Sequence, residues 1–151
     1  CYKRQLEESC GHIDEDTARL TKLRDKLIAG LSKIPHSALN GDPVHRLPTN
    51  VNFCFEGIEG ESLLLLLDQA GICASSGSAC TSGSLDPSHV LLAIGRPHEV
   101  AHGSLRLSLC HDTTEEQVDY ILEKVPGIVA YLRDMSPMWK DLESGKRTFI
   151  L

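Results

Sequence analysis

The segment from Ser75 to Ser84 reads SSGSACTSGS and sets one cysteine, Cys80, among Ser, Gly, Ala and Thr. Five serines and two glycines in ten residues offer too little apolar surface to pack, so the sequence predicts an exposed loop that samples many backbone conformations. A thiol so placed can move to meet a substrate, and it becomes a nucleophile once its pKa is lowered or a proton acceptor stands beside it. The plain alternative is a surface loop with an incidental cysteine, since free Cys is usually a small buried hydrophobe. Two further groups invite chemistry. His98, Glu99 and His102 spell HEVAH, a match to the HExxH signature in which two histidines bind zinc from one helical face and the Glu acts as base. Arg106 sits in an alternating segment, and a guanidinium fixed on a strand suits bidentate capture of a carboxylate; the alternative is an ordinary exposed strand arginine.

The elements that must position these groups follow from periodicity. Leu20, Leu23, Leu27, Leu31 and Ile34 recur at three- and four-residue spacing, so residues 14–34 read as an amphipathic helix with acidic residues at its start and Pro35 at its end. Asn40 and Gly41 mark a turn, and Val51, Phe53 and Phe55 alternate with Asn52, Cys54 and Glu56 as in a half-buried strand. Residues 61–70 form a short helix whose five consecutive leucines predict burial on more than one side, between a sheet and another layer. Ile72 to Ala74 reads as a short strand feeding the Ser/Gly loop, and Asp86–Pro87 as a helix start with Gly95 as its stop. Leu105, Leu107 and Leu109 alternate with Ser104, Arg106 and Ser108, a second strand with Arg106 on its polar face. The last helix opens with Thr113 and Glu116 at capping-box spacing and carries Val118, Ile121, Leu122, Val125, Val129 and Leu132 on one face, with a kink expected at Pro126. The pattern predicts one α+β domain over residues 1–151, a small, mainly antiparallel sheet packed with helices.

The zinc reading fares poorly in this context. Pro97 and Gly103 bracket HEVAH and leave little more than one helical turn, and GSLRLS beyond it supplies no third histidine, so only Glu115 or Glu123 remains as a further ligand. The chain has 151 residues and enough apolar content, 41%, to build a core. With 15 Lys and Arg against 21 Asp and Glu, and no basic cluster beyond Lys146–Arg147, nucleic acid is a poor partner. No apolar run reaches bilayer length and CYKRQLEESCGH lacks the apolar core of a signal peptide, which points to a cytosolic protein without a membrane partner. Cysteines at 1, 10, 54, 73, 80 and 110 include no CxxC pair, so reduced thiols are expected, and Cys1 without an initiator Met suggests a fragment.

ASSGSACTSGSLDPSHVLLAIG, from Ala74 to Gly95, resembles the active-site segment of NifS/IscS-type cysteine desulfurases of the class-V aminotransferase family. The likeness continues through RLPTNVNFCF, EGESLLLLLDQAGI, HGSLRLSL, TTEEQVDYIL and YLRDMSPMW, and the nitrogen-fixation branch looks closer than the branch with a shorter catalytic loop. The resemblance implies the C-terminal small domain of a fold-type I, pyridoxal-phosphate-dependent transferase. It also implies removal of sulfur from L-cysteine, release of L-alanine and a persulfide on the enzyme's own cysteine. Cys80 matches that nucleophile, and Arg106 matches the arginine that holds the substrate carboxylate. It further implies a homodimer, an iron-sulfur scaffold protein as acceptor, and Cys80 as a transient cluster ligand shared with that scaffold. HEVAH coincides with a stretch common in the family, which weakens the zinc reading further, and His102 carries no assigned role.

The departures from the family are informative. No lysine here stands in the family's Schiff-base context, and the motifs that meet the cofactor ring are missing. The resemblance therefore implies that the cofactor-binding domain is absent from these residues, that the chain alone neither holds pyridoxal phosphate nor turns over cysteine, and that Cys80 is half of an active site. Cys110, His111 and Asp112 also depart from the family pattern. A second reading is a non-catalytic, persulfide-carrying module that docks a scaffold protein.

Overall fold

A computed structural model of the chain describes residues 2–76 and 87–151. In chain order they form α1 (Tyr2–Leu31), β1 (Ser37–Leu39), β2 (Asn50–Phe55), α2 (Gly60–Gln69), α3 (His89–Ala93), α4 (His98–Ala101), β3 (Ser104–Ser108), α5 (Glu115–Met135) and α6 (Pro137–Glu143). The strands make one antiparallel sheet in the order β1-β2-β3, with Ala38 opposite Cys54 and Asn52 opposite Arg106. This is the α+β architecture that the alternating patterns predict.

Alternation gives the sheet two unlike faces. Val51, Phe53 and Phe55 of β2 and Leu105 and Leu107 of β3 are buried against Leu20, Leu23, Leu27 and Leu31 of α1, Leu63 and Leu67 of α2, and Val118, Val125 and Val129 of α5. Each such side chain contributes about 1.5–3 kcal/mol on burial, so this face holds the domain together. The other face carries Asn50, Asn52 and Cys54 opposite Ser108, Arg106 and Ser104. α3 and α4 cover its Cys54 end, where Leu91, Val100 and Ala101 pack on the thiol.

Several elements differ from the sequence reading. α1 begins at Tyr2, far ahead of residue 14, because Lys3 to Glu8 is an exposed run of helix formers with a Lys3–Glu7 pair four residues apart. It ends at Leu31, ahead of Ile34, where Ile34 N bonds Leu31 O in a tighter turn before Pro35. In α2 only Leu63 and Leu67 of the five leucines are fully buried and Leu65 is 62% exposed, although the helix does lie between β3 and α5. Ile72 to Ala74 is not a strand: one bridge, Ser75 to Arg106, ties this stretch to β3, and Cys73 is exposed. α3 starts after Ser88, while Asp86 lies outside the described residues, and Gly95 follows its end with φ +87°. The capping box belongs to Thr114 and Gln117, one residue on from Thr113 and Glu116, and Thr113 Oγ1 accepts from Cys110 N instead. α5 is unbroken through Pro126. No described helix is long and apolar enough to cross a membrane, and Cys10, Cys54, Cys73 and Cys110 are free thiols.

The C-terminal residues are strapped to the domain. The buried carboxylate of Glu56 accepts from Ile150 N (2.9 Å) and Leu151 N (3.1 Å), and His36 Nδ1 lies 2.7 Å from Leu151 O. Phe149 stacks on the His36 ring at 3.8 Å. His36 adopts φ +52°, held there by Glu56 N and the Arg133 guanidinium, both of which donate to its carbonyl. Burial lowers the Arg133 pKa to about 10.

Candidate active site

Arg106 owes its position to its neighbours. Leu105 and Leu107 are buried on the helix-covered face, so the side chain between them must leave on the polar face, where it is half-buried. Ser75 bridges it through both backbone groups, Ser75 N to Arg106 O at 3.1 Å and Arg106 N to Ser75 O at 2.6 Å, and Arg106 Nη2 donates to Ser75 Oγ at 3.3 Å. Among the described residues no carboxylate pairs with this guanidinium. It is oriented by a hydroxyl and a strand while its charge stays uncompensated there, the arrangement that suits an incoming carboxylate.

A polar network borders it. Asn40, buried at the end of β1, donates from Nδ2 to Asn52 Oδ1 (2.7 Å) and to Cys54 Sγ (3.1 Å). Its Oδ1 accepts from Arg96 Nε at 2.7 Å, and Arg96 Nη2 donates to Leu39 O at 2.6 Å. Arg96 is thus fixed to the edge of the face that holds Arg106, and Asn52 lies between them opposite Arg106. Two guanidiniums on one half-covered face make it anion-seeking. Burial pushes the Cys54 thiol up, more than Asn40 and Arg96 draw it down, so Cys54 is a neutral core thiol and not a nucleophile.

Cys80, the predicted nucleophile, lies outside the described residues, which stop at Ser76 beside Arg106 and resume at Pro87 before α3. Asn40, Asn52, Arg96 and Ser75 escape the sequence reading as site residues. Asn52 shows there as an outward strand position and Asn40 as a turn residue; only the folded sheet joins them to Arg96. The HEVAH residues form a single turn, α4, with the His98 and His102 rings 4.6 Å apart. Glu99 pairs with Arg147 at 3.7 Å. Glu115 is held by Lys26 and Glu123 by Lys124, and no group of three metal-ligating side chains converges among the described residues. The zinc-protease constellation is not assembled there.

Residues 6–121 match the family model described as aminotransferase class-V. The chain belongs to the class-V aminotransferase family. It is 61% identical over 132 residues to a cysteine desulfurase IscS of Methanosarcina thermophila, covering 87% of this chain and 33% of that protein. It is 52% identical over 134 residues to the cysteine desulfurase NifS of Azotobacter vinelandii, covering 88% and 33%. Among solved structures, a NifS-like protein superposes with a TM-score of 0.74 at 32% identity, over 85% of this chain and 32% of that one. A NifS-like protein from Rickettsia africae gives 0.69 at 28% identity, over 80% and 31%. The chain spans about a third of the length of the relatives it matches.

Class-V aminotransferases imply pyridoxal phosphate, and the residues of this family member do not fit it. The cofactor needs a lysine whose amine can be neutral, which desolvation or a neighbouring cation provides. None of the seven lysines is buried. Lys26 is raised above its usual value by the hydrogen bonds it donates to Asp119 and Glu115, and Lys124 by the one it donates to Glu123, so both are held as ammonium ions. No step of catalysis is assigned to the cofactor within these residues.

Proposed function

We propose that this chain is the sulfur-accepting, C-terminal domain of a cysteine desulfurase, with the pyridoxal phosphate held by a further domain outside these 151 residues. The observation that carries the reading is the bridge between Arg106 and Ser75. It supports a substrate clamp at the point where the chain departs toward Cys80. Five residues link Ser75 to Cys80, a reach of at most ~18 Å, so the thiol is tethered to the strand that carries the clamp. In this reading Arg106 takes the carboxylate of L-cysteine, Cys80 receives the substrate's sulfur as a persulfide, and L-alanine leaves. The persulfide then passes to an iron-sulfur scaffold protein that shares Cys80 as a transient ligand, and the whole enzyme works as a cytosolic homodimer.

The test joins the chain to the cofactor-bearing domain of a class-V relative and supplies L-cysteine labelled with radioactive sulfur. Label on Cys80, retained in a Cys73→Ser variant, is the expected result; label on Cys73 or Cys110, or on no cysteine, overturns the assignment.

The unsuitability of the seven lysines favours a second reading, in which the chain by itself carries persulfide to a scaffold protein without catalysis. A persulfide donor mixed with the isolated chain then labels Cys80; no label there rejects this reading.

A further inference from the structure

We propose that His98 and His102 form a two-imidazole site for an exchangeable divalent transition-metal ion of the zinc class. Their spacing of four residues puts both rings on one side of α4. Two imidazoles bound to one ion at the usual Zn–N distance of about 2.0–2.1 Å hold their ring centroids roughly 4.5–5.2 Å apart, for a ligand angle between about 90° and 110°. The observed separation is 4.6 Å, with the ring planes crossed at 68°. Neither ring hydrogen-bonds another described residue, so ring nitrogens are available as ligands without breaking an existing contact.

The backbone beneath the pair is fixed. Val100 and Ala101 are buried between the two histidines, and His102 O accepts from Gly60 N at 3.0 Å. Gly103 abuts the Phe55 carbonyl so closely that a Cβ there would collide with it. The backbone that carries the pair is therefore ordered before metal arrives, which lowers the entropy cost of binding. Glu99 is turned to Arg147 and no third side chain joins the pair among the described residues, so water or an outside ligand completes the coordination. Such a site exchanges its ion freely, unlike a closed structural zinc site. Imidazole ligands favour Ni²⁺, Cu²⁺ and Zn²⁺ over Mn²⁺ and Fe²⁺, and the net charge of −6 favours cations in general.

Ni²⁺ is the probe, added to the full chain after its exposed thiols are alkylated to remove competing ligands. Imidazole NMR signals of His98 and His102 are expected to broaden before those of the other five histidines, and excess Zn²⁺ to restore them. His98→Ala, at an exposed position that does not threaten folding, weakens Ni²⁺ binding by about tenfold or more, as does His102→Ala, while Glu99→Gln leaves it unchanged. First broadening at another histidine, or unaltered affinity in His98→Ala, overturns the site.

Discussion

At the scale of single residues, Arg106 and Cys54 show how two side chains on one sheet face acquire opposite characters. Arg106 keeps an uncompensated charge among the described residues beside a single hydroxyl, whereas Cys54 is sealed under Leu91, Val100 and Ala101. In the enzyme completed with its cofactor domain, Arg106→Lys removes the two-pronged geometry but keeps the charge. The KM for L-cysteine is expected to rise by about tenfold or more with a smaller effect on kcat; steady-state kinetics reads the split. For Cys54 the folded pKa is raised, so folding favours the neutral thiol. Its contribution to stability is complete below the ordinary value of 9.0 and declines as the pH rises above it, because the unfolded thiol ionises first. Native-state alkylation is expected to modify Cys10, Cys73 and Cys110 and to spare Cys54 until denaturant unfolds the domain. The sequence distinguishes Arg106 by alternation alone, but it cannot separate Cys54 from Cys73: both stand in apolar-looking stretches, and only pairing with β1 and cover from α4 bury the first.

At the scale of elements, β2 and β3 are legible because a sheet covered on one side forces strict alternation. β1 is not, since its three half-buried residues carry no period. The exposed first half of α1 has no packing to impose a stripe, and adjacent threonines followed by Glu116 and Gln117 allow two capping boxes, between which the sequence alone does not choose. Gly103, between α4 and β3, is set against the Phe55 and Ile58 carbonyls, which cannot yield as a flexible side chain does. Gly103→Ala is expected to cost at least ~2 kcal/mol in chemical denaturation and to disturb the start of the strand that carries Arg106. The C-terminal strap depends on Glu56, whose two oxygens each accept one backbone N–H. Glu56→Gln leaves one of those donors facing an amide NH₂, at a cost of about 1–3 kcal/mol. Hydrogen exchange at Ile150 and Leu151 is expected to accelerate ahead of exchange in β2.

At the scale of the molecule, one apolar sheet face builds the domain and the other is left polar, with Arg96 and Arg106 fixed on it and the chain to Cys80 starting beside it. The class-V family was legible in SSGSACTS and its flanks because so long a run of small residues around one cysteine is an unusual composition. The polar network behind Arg106 was not, because Asn40, Asn52 and Arg96 come from three separate segments that meet only in the sheet. Alanine release from L-cysteine reads out whether Cys80 is the sulfur acceptor. With the cofactor domain supplied, the chain is predicted to release alanine and Cys80→Ala to lose that release while the cofactor stays bound; alanine released at an unchanged rate by Cys80→Ala would contradict that role.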